Sequence, residues 1–470
     1  MLLTDTAARP SEGARATGSP PRGAPVAGPP PRGASRGLAA TLVVAAVFGL
    51  LLGRFVLAGR NDRSVPAPAA PIAGSTAEAR VARLQAQLRA APDNAVLLTS
   101  LADAYLVRAR ETADPTYYDK ADQAVKRSRA LAPDDVRTLT TGAFLDLARH
   151  DFGRALEGAT RAHQLSPDDP DPLTAVFDAH IELGQYDAAA TTIDEMLSRR
   201  PALATYARLS YLRELRGDTG GAISAMTQAV EAGAGSPEDR AYVLALLGDL
   251  HLGRGDLDAA EAAYVRAERD RPEYGPAEVG RARVAAARGD LQGAADRLAA
   301  TVNRLPLPAT AALLGDVLDA MGRPADAARQ YELVRAIESL NRANGVAVDF
   351  ELARFEADHL HDPGADPATT VAQAQAALAA RPTIFAEDAL AWALRGAGRP
   401  GDALPHATAA VRLGTEHAPL WYHLAVIEAD VGRTADARAH LTRAFEIDPH
   451  LSVRDLPAAQ ALATRLGVRR

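Results

Sequence analysis

Apolar residues fall into two patterns along this chain. Between Gly37 and Ala58 they run almost unbroken, as GLAATLVVAAVFGLLLGRFVLA, with Arg54 the one charge. That length predicts a helix crossing a bilayer, with Arg54 reaching for its surface. From Ala77 onward apolar residues recur at helical spacing, in Ala- and Leu-rich stretches closed by Pro133, Pro167 and Pro201, each 34 residues after the last. Proline cannot continue a helix and turns the residue before it away from helical geometry, so each one marks a boundary. Between the two patterns, residues 59–76 form a Pro- and Ala-rich linker, extended and semi-rigid. Residues 1–36, rich in Pro, Gly and Arg, hold too few large apolar groups to offset their ordering entropy and are expected to be disordered.

A fixed period organises the rest. The unit from Ala241 shows it most fully: Leu244, Leu247 and Gly248 in a first helix, Gly255 at a turn, then Ala260, Tyr264 and Ala267 in a second helix, closed by Pro272. Trp421, Leu424, Ala425, Gly432, Ala437, Leu441, Ala444 and Pro449 repeat that order, as do Leu390, Ala391, Gly398, Ala403, Ala407 and Ala410. Further units are keyed by Gly184, Gly217, Gly289 and Gly322. Small residues let two helices cross closely, bulky ones fill the gap, and glycine relaxes the turn.

This pattern resembles the tetratricopeptide repeat family. The resemblance implies an all-α fold, an α-solenoid of helix-turn-helix repeats whose first helices line a concave groove that holds a partner's peptide. On this reading about nine units span 77–450, with an irregular stretch at 340–370 where no turn glycine is in place, and 451–470 forms a C-terminal capping helix. Segments such as Ser210 to Asp218, Phe355 to His359 and Asp388 to Arg399 also resemble a bacterial, actinobacterial family of membrane-anchored tetratricopeptide proteins.

Composition narrows the function. A formal net charge of −7 with acids and bases interspersed leaves no footprint for nucleic acid. Cysteine is absent, which removes disulfides, thiolate catalysis and Cys-based metal sites. No Gly-rich phosphate loop and no nucleophile–base arrangement is recognisable, so neither an enzyme nor a cofactor is expected. The tightest histidine cluster, His359 and His361 with Asp358 and Asp362, offers a divalent metal too few converging ligands and reads first as a polar helix end.

What remains is the wall formed by the first helix of each unit. Its groove-facing candidates are Asp178, Glu182, Tyr211, Glu214, Tyr242, Asp249, Arg283, Asp316, Asp319, Trp392, Arg395 and Tyr422. Acids crowd the middle units, while Arg395, Trp392 and Tyr422 gather at the end, which reads as two differently charged subsites. The sequence therefore predicts a membrane-anchored scaffold that binds a protein or peptide in its groove. It would be single-pass at the cell membrane, its N-terminus cytoplasmic and its repeats outside, because arginines precede the span. The alternative is a small-ligand or metal-binding protein that uses the irregular segment 350–362.

Overall fold

Short polar punctuation decides where each helix begins. Asp135, Asp151, Asp218, Asp256 and Asp290 each accept the backbone N–H three residues on, capping the helix that follows, a contact worth roughly 1 kcal/mol apiece. In the computed structural model, residues 77–347, 350–360 and 365–468 are described, and they comprise 22 α-helices and no strand. The segments 1–36, 37–58 and 59–76 lie outside the described residues.

Helix α1 (Ala77–Ala90) precedes ten successive pairs, each an A helix followed by a B helix. The first five are α2 (Ala95–Thr112) with α3 (Thr116–Leu131), α4 (Val136–Ala148) with α5 (Phe152–Leu165), α6 (Asp171–Glu182) with α7 (Tyr186–Arg199), α8 (Leu203–Leu215) with α9 (Thr219–Ala232), and α10 (Pro237–Leu252) with α11 (Leu257–Asp270). Then come α12 (Gly275–Ala287) with α13 (Leu291–Arg304), α14 (Pro308–Ala320) with α15 (Pro324–Ala343), α16 (Phe350–Asp358) with α17 (Pro367–Ala380), α18 (Ile384–Gly396) with α19 (Pro400–Ala410), and α20 (Ala418–Asp430) with α21 (Thr434–Ile447). Helix α22 (Asp455–Leu466) follows, burying Ala459, Leu462, Ala463 and Leu466. The solenoid expected from the period is what the chain builds.

Within and between pairs, small residues set the approach of the helices. Tyr264 fills the space over Gly248 and Gly280, and Tyr331 fills that over Gly315, so a side chain at any of the three would collide with a ring. The irregular stretch departs in helix length: α15 extends to 20 residues and α16 contracts to 9.

Consecutive A helices touch along the array, as in α2 with α4, α4 with α6, and α10 with α12, so the A helices form the inner wall of the curve. That curve brings residues about 200 apart into contact. The turns between A and B helices in the early pairs meet the turns between B and A helices in the late pairs. The Ala347 N–H donates to the Arg149 carbonyl at 3.3 Å, and the Ile384 N–H donates to the Tyr186 hydroxyl at 3.1 Å. The Thr415 hydroxyl donates to the Leu215 carbonyl, and the Thr219 hydroxyl to Glu416 at 2.8 Å. Apolar groups join across the same seam, with Phe177, Ile181, Tyr186 and Ile193 packed in one cluster with Ile384 and Leu420.

Turn glycines show how close the seam is. Gly184 and Gly217 sit at φ +66° and +75°, and a Cβ on either would strike the backbone carbonyl of Pro382 or Gly414. Gly322, Gly398 and Gly432 hold the same left-handed turn with open space around them.

No helix of the described residues is long and apolar enough to cross a membrane. The single-pass membrane location expected from the sequence is therefore corrected: the span on which it rested, 37–58, is not among the described helices.

The seam yields a stability test. Gly398→Ala meets only the left-handed strain, roughly 1–2 kcal/mol, whereas Gly184→Ala must also displace backbone, roughly 1–3 kcal/mol more. Thermal unfolding followed by circular dichroism should rank wild type above Gly398→Ala above Gly184→Ala. Equal losses at both positions would show that the seam is not closed.

Candidate partner-binding groove

Because A helices line the inner wall, polar side chains on neighbouring A helices meet there, and most are paired one repeat apart. Arg137 donates to Asp103 at 3.2 Å, Arg283 to Asp249 at 3.1 Å, Arg354 to Asp388 at 2.9 Å and Arg395 to Asp430 at 2.7 Å. The pair Asp178 and Arg208 is the most enclosed: Arg208 is fully buried and donates through Nε at 2.8 Å and Nη2 at 2.6 Å to the two carboxylate oxygens. Burial still raises Asp178 above the ordinary carboxylate range, despite the opposing pull of Arg208.

Several expected groove residues are thereby spent within the fold. Glu182 is buried against Arg381 across the seam, and that guanidinium also lies 4.8 Å from the Phe152 ring and 4.6 Å from the Phe350 ring. Trp392 is buried and donates its indole N–H to Asp358 at 2.7 Å. The His423 ring stacks on Trp392 at 4.0 Å and bonds Asp388 at 2.8 Å. Tyr422 and Tyr242 are both buried. Burial would raise Asp358 and Asp388, but Arg354 and His423, helped by Arg454 at Asp358, outweigh it and hold both below the usual range.

The two charged subsites read from the sequence are therefore largely neutralised from inside. The middle acids meet Arg208, Arg381 and Arg283, and the C-terminal Arg395 meets Asp430 while lying 4.8 Å over Trp392. Arg208, Arg354, Arg381, Arg454, Asp358, Asp388 and His423 were not anticipated at the wall. The one-repeat spacing of opposite charges was the signal that would have found most of them.

The irregular segment behaves in the same way. His359 is buried, its Nδ1 donating to the Phe355 carbonyl at 2.7 Å and its Nε2 accepting from Arg454 at 2.9 Å. Both ring nitrogens are thus engaged within the protein, and Asp316, bonded by the Tyr331 hydroxyl at 3.0 Å, sits 3.5 Å from Nε2. Among the described residues no group of three or more His, Asp or Glu is arranged to hold a metal; His361 and Asp362 lie outside them.

A smaller patch stays accessible. Asp249 and Arg283 are both about half exposed, with side-chain exposures of 46% and 47%. Asp319 is exposed, and Tyr211, Glu214 and Asp316 are half-buried. Glu214 makes no ion pair among the described residues, and its charged neighbour is another acid. Desolvation first, and then the Asp249 carboxylate, push Glu214 up to about 7.

Family models described as tetratricopeptide repeat match residues 146–210, 246–306 and 389–452. These matches identify tetratricopeptide repeats in the chain, in agreement with its helix pairs and inner wall. Proteins of this kind generally mediate protein–protein interactions and are generally non-enzymatic scaffolds. No curated protein matches the chain. Among solved structures, it is similar to a thermophilic TPR protein of Thermus thermophilus, at 21% identity over 36% of this chain and 90% of that one, TM-score 0.33. It is also similar to a tetratricopeptide repeat protein of Parabacteroides merdae, at 16% identity over 52% and 98%, TM-score 0.38. A third likeness is to yeast Tom70, at 13% identity over 80% and 96%, TM-score 0.36.

The buried pair at the wall gives a mutational test. Arg208→Met strands the Asp178 carboxylate and is expected to cost roughly 3–5 kcal/mol, whereas Arg208→Met with Asp178→Leu should recover most of that loss. Melting temperatures of the single and double variants check this; a double variant no more stable than the single one would contradict it.

Proposed function

We propose that this protein is a scaffold that binds a partner protein through the exposed patch of its inner wall, and that the bound segment carries a lysine or arginine. The observation that supports this is Glu214, which makes no ion pair among the described residues and lies beside a half-exposed Asp249. Elsewhere on the wall most acids have a cation within the fold, as Asp178, Glu182 and Asp388 do. Here two carboxylates share a neighbourhood with one arginine, and an incoming cation relieves their repulsion. Tyr211, which lies beside Glu214, flanks the patch and supplies aromatic contact surface.

The reading fixes a pH dependence. A carboxyl lifted from 4.5 to about 7 takes up protons on folding within that window, so its contribution to stability falls as pH rises through it and the full cost stands above it. A bound cation favours the charged form. Affinity for basic peptides should therefore rise between about pH 6 and pH 8, and Glu214→Gln should flatten that rise. The test is a peptide array probed with the full-length protein, followed by titration of the retained peptides at several pH values. Glu214→Gln with Asp249→Asn is expected to weaken basic peptides by roughly tenfold, about 1.4 kcal/mol. Retention of neutral peptides equal to that of basic ones would overturn the proposal.

A further inference from the structure

The seam has two faces, and the protein displays a second, uncovered set of each. The A-to-B turns at Gly184, Gly217 and Gly255 are covered: a Cβ on the last would come 2.8 Å from the Pro449 ring. The equivalent turns at Gly289, Gly322, Gly398 and Gly432 have nothing within 4 Å of such a Cβ. The opposite face divides the same way. In the late pairs the B-to-A turns bury Arg381, Thr383, Ile384 and Thr415 against the seam. In the early pairs the corresponding turns are exposed, and beside them stand the exposed large apolar residues Val96 at 45%, Leu131 at 46% and Leu165 at 37%.

The two uncovered edges also differ in the charged residues that stand at their turns. The open A-to-B turns carry an arginine next to each glycine: Arg288, Arg323, Arg399 and Arg433. The open B-to-A turns read APDN, APDD and SPDD, bringing Asp93, Asp134, Asp135, Asp168 and Asp169. Each arginine is held locally by an aspartate: Arg288 by Asp258, Arg323 by Asp326 at 2.7 Å, Arg399 by Asp402 at 2.7 Å and Arg433 by Asp436 at 3.5 Å. Asp134 and Asp168 meet Arg161 at 3.2 Å and Arg199 at 3.8 Å. Exposed pairs of this kind hold by about 0–1 kcal/mol, so they exchange readily for partners across an interface.

We infer that a second copy of this chain occupies these edges. It would set its acidic, apolar B-to-A edge on the arginine-bearing A-to-B edge of the first and continue outside the molecule the seam that each copy already makes within itself. The interface is head-to-tail, so each copy retains one open edge and growth does not close by two-fold pairing. This inference does not depend on the groove reading, because the edges lie on the helix-to-helix turns and not on the wall at Glu214 and Asp249.

Sedimentation equilibrium of the full chain tests it with two variants. Leu131→Glu with Leu165→Glu disables one edge; Arg323→Glu with Arg399→Glu disables the other. The wild type should show mass rising with concentration beyond a dimer, and each variant alone should be a monomer. An equimolar mixture of the two should form a one-to-one dimer and nothing larger, since each supplies the edge that the other lacks. A wild type monomeric at all concentrations, a mixture that stays monomeric, or a single variant that still dimerises would each overturn the inference. If the leucine variant fails to keep its helical circular dichroism, Asp134→Lys with Asp168→Lys replaces it, because those side chains are exposed and disturb only charge.

Discussion

Backbone meeting backbone at the turn glycines is the contact on which the rest of this structure depends. At Gly184 and Gly217 the chain comes so near its own later turns that no side chain fits between them. Each repeat contributes a small rotation, and such rotations ordinarily leave a solenoid open. Here they accumulate until residues about 200 apart touch, and hydrogen bonds from Ile384 and Thr415 to the Tyr186 hydroxyl and the Leu215 carbonyl fix the register. The left-handed glycine turn therefore has two roles: it reverses the chain between helices, and at the seam it removes the side chain that would hold the two layers apart.

Closure decides what the inner wall can present. With A helices gathered inside a curve that meets itself, charged residues lose water, and an uncompensated charge there is costly. The sequence answers with opposite charges one repeat apart, which the 34-residue period places face to face on adjacent A helices. Asp249 with Arg283 and Arg354 with Asp388 follow this rule, and Glu182 with Arg381 applies the same logic across the seam. Against that background Glu214 stands out, its carboxyl raised by desolvation and by Asp249. Locally it is destabilising, the kind of inconsistency expected where a surface is kept for a partner.

Much of the fold was legible in the sequence because the repeat writes itself locally. Proline at helix ends, glycine at turns and alanine at crossings act within one unit, and each is visible at Pro133, Gly255 or Ala260 without knowledge of the rest. The seam was not legible, since nothing near Gly184 or Gly414 distinguishes a covered turn from an open one such as Gly398; the difference arises from curvature summed over several repeats. The wall was legible in part. Asp178 and Trp392 were placed on A helices by register, but their surroundings depend on Arg208 for the first and on Asp358 and His423 for the second, which lie in other units. The apolar run 37–58 carried an expectation of membrane location that the described helices do not support.

Closure of the array on itself is most directly tested by a distance across the seam. The chain has no cysteine, so spin labels at Asp187→Cys and Arg412→Cys report a single pair across the seam, where Arg412 lies with its guanidinium 5.7 Å from the ring of Tyr186, the neighbour of Asp187. Pulsed electron resonance in dilute solution should give one short, narrow distance distribution. A long or broad distribution would mean that the layers stand apart, and the account of a closed inner wall would fall with them.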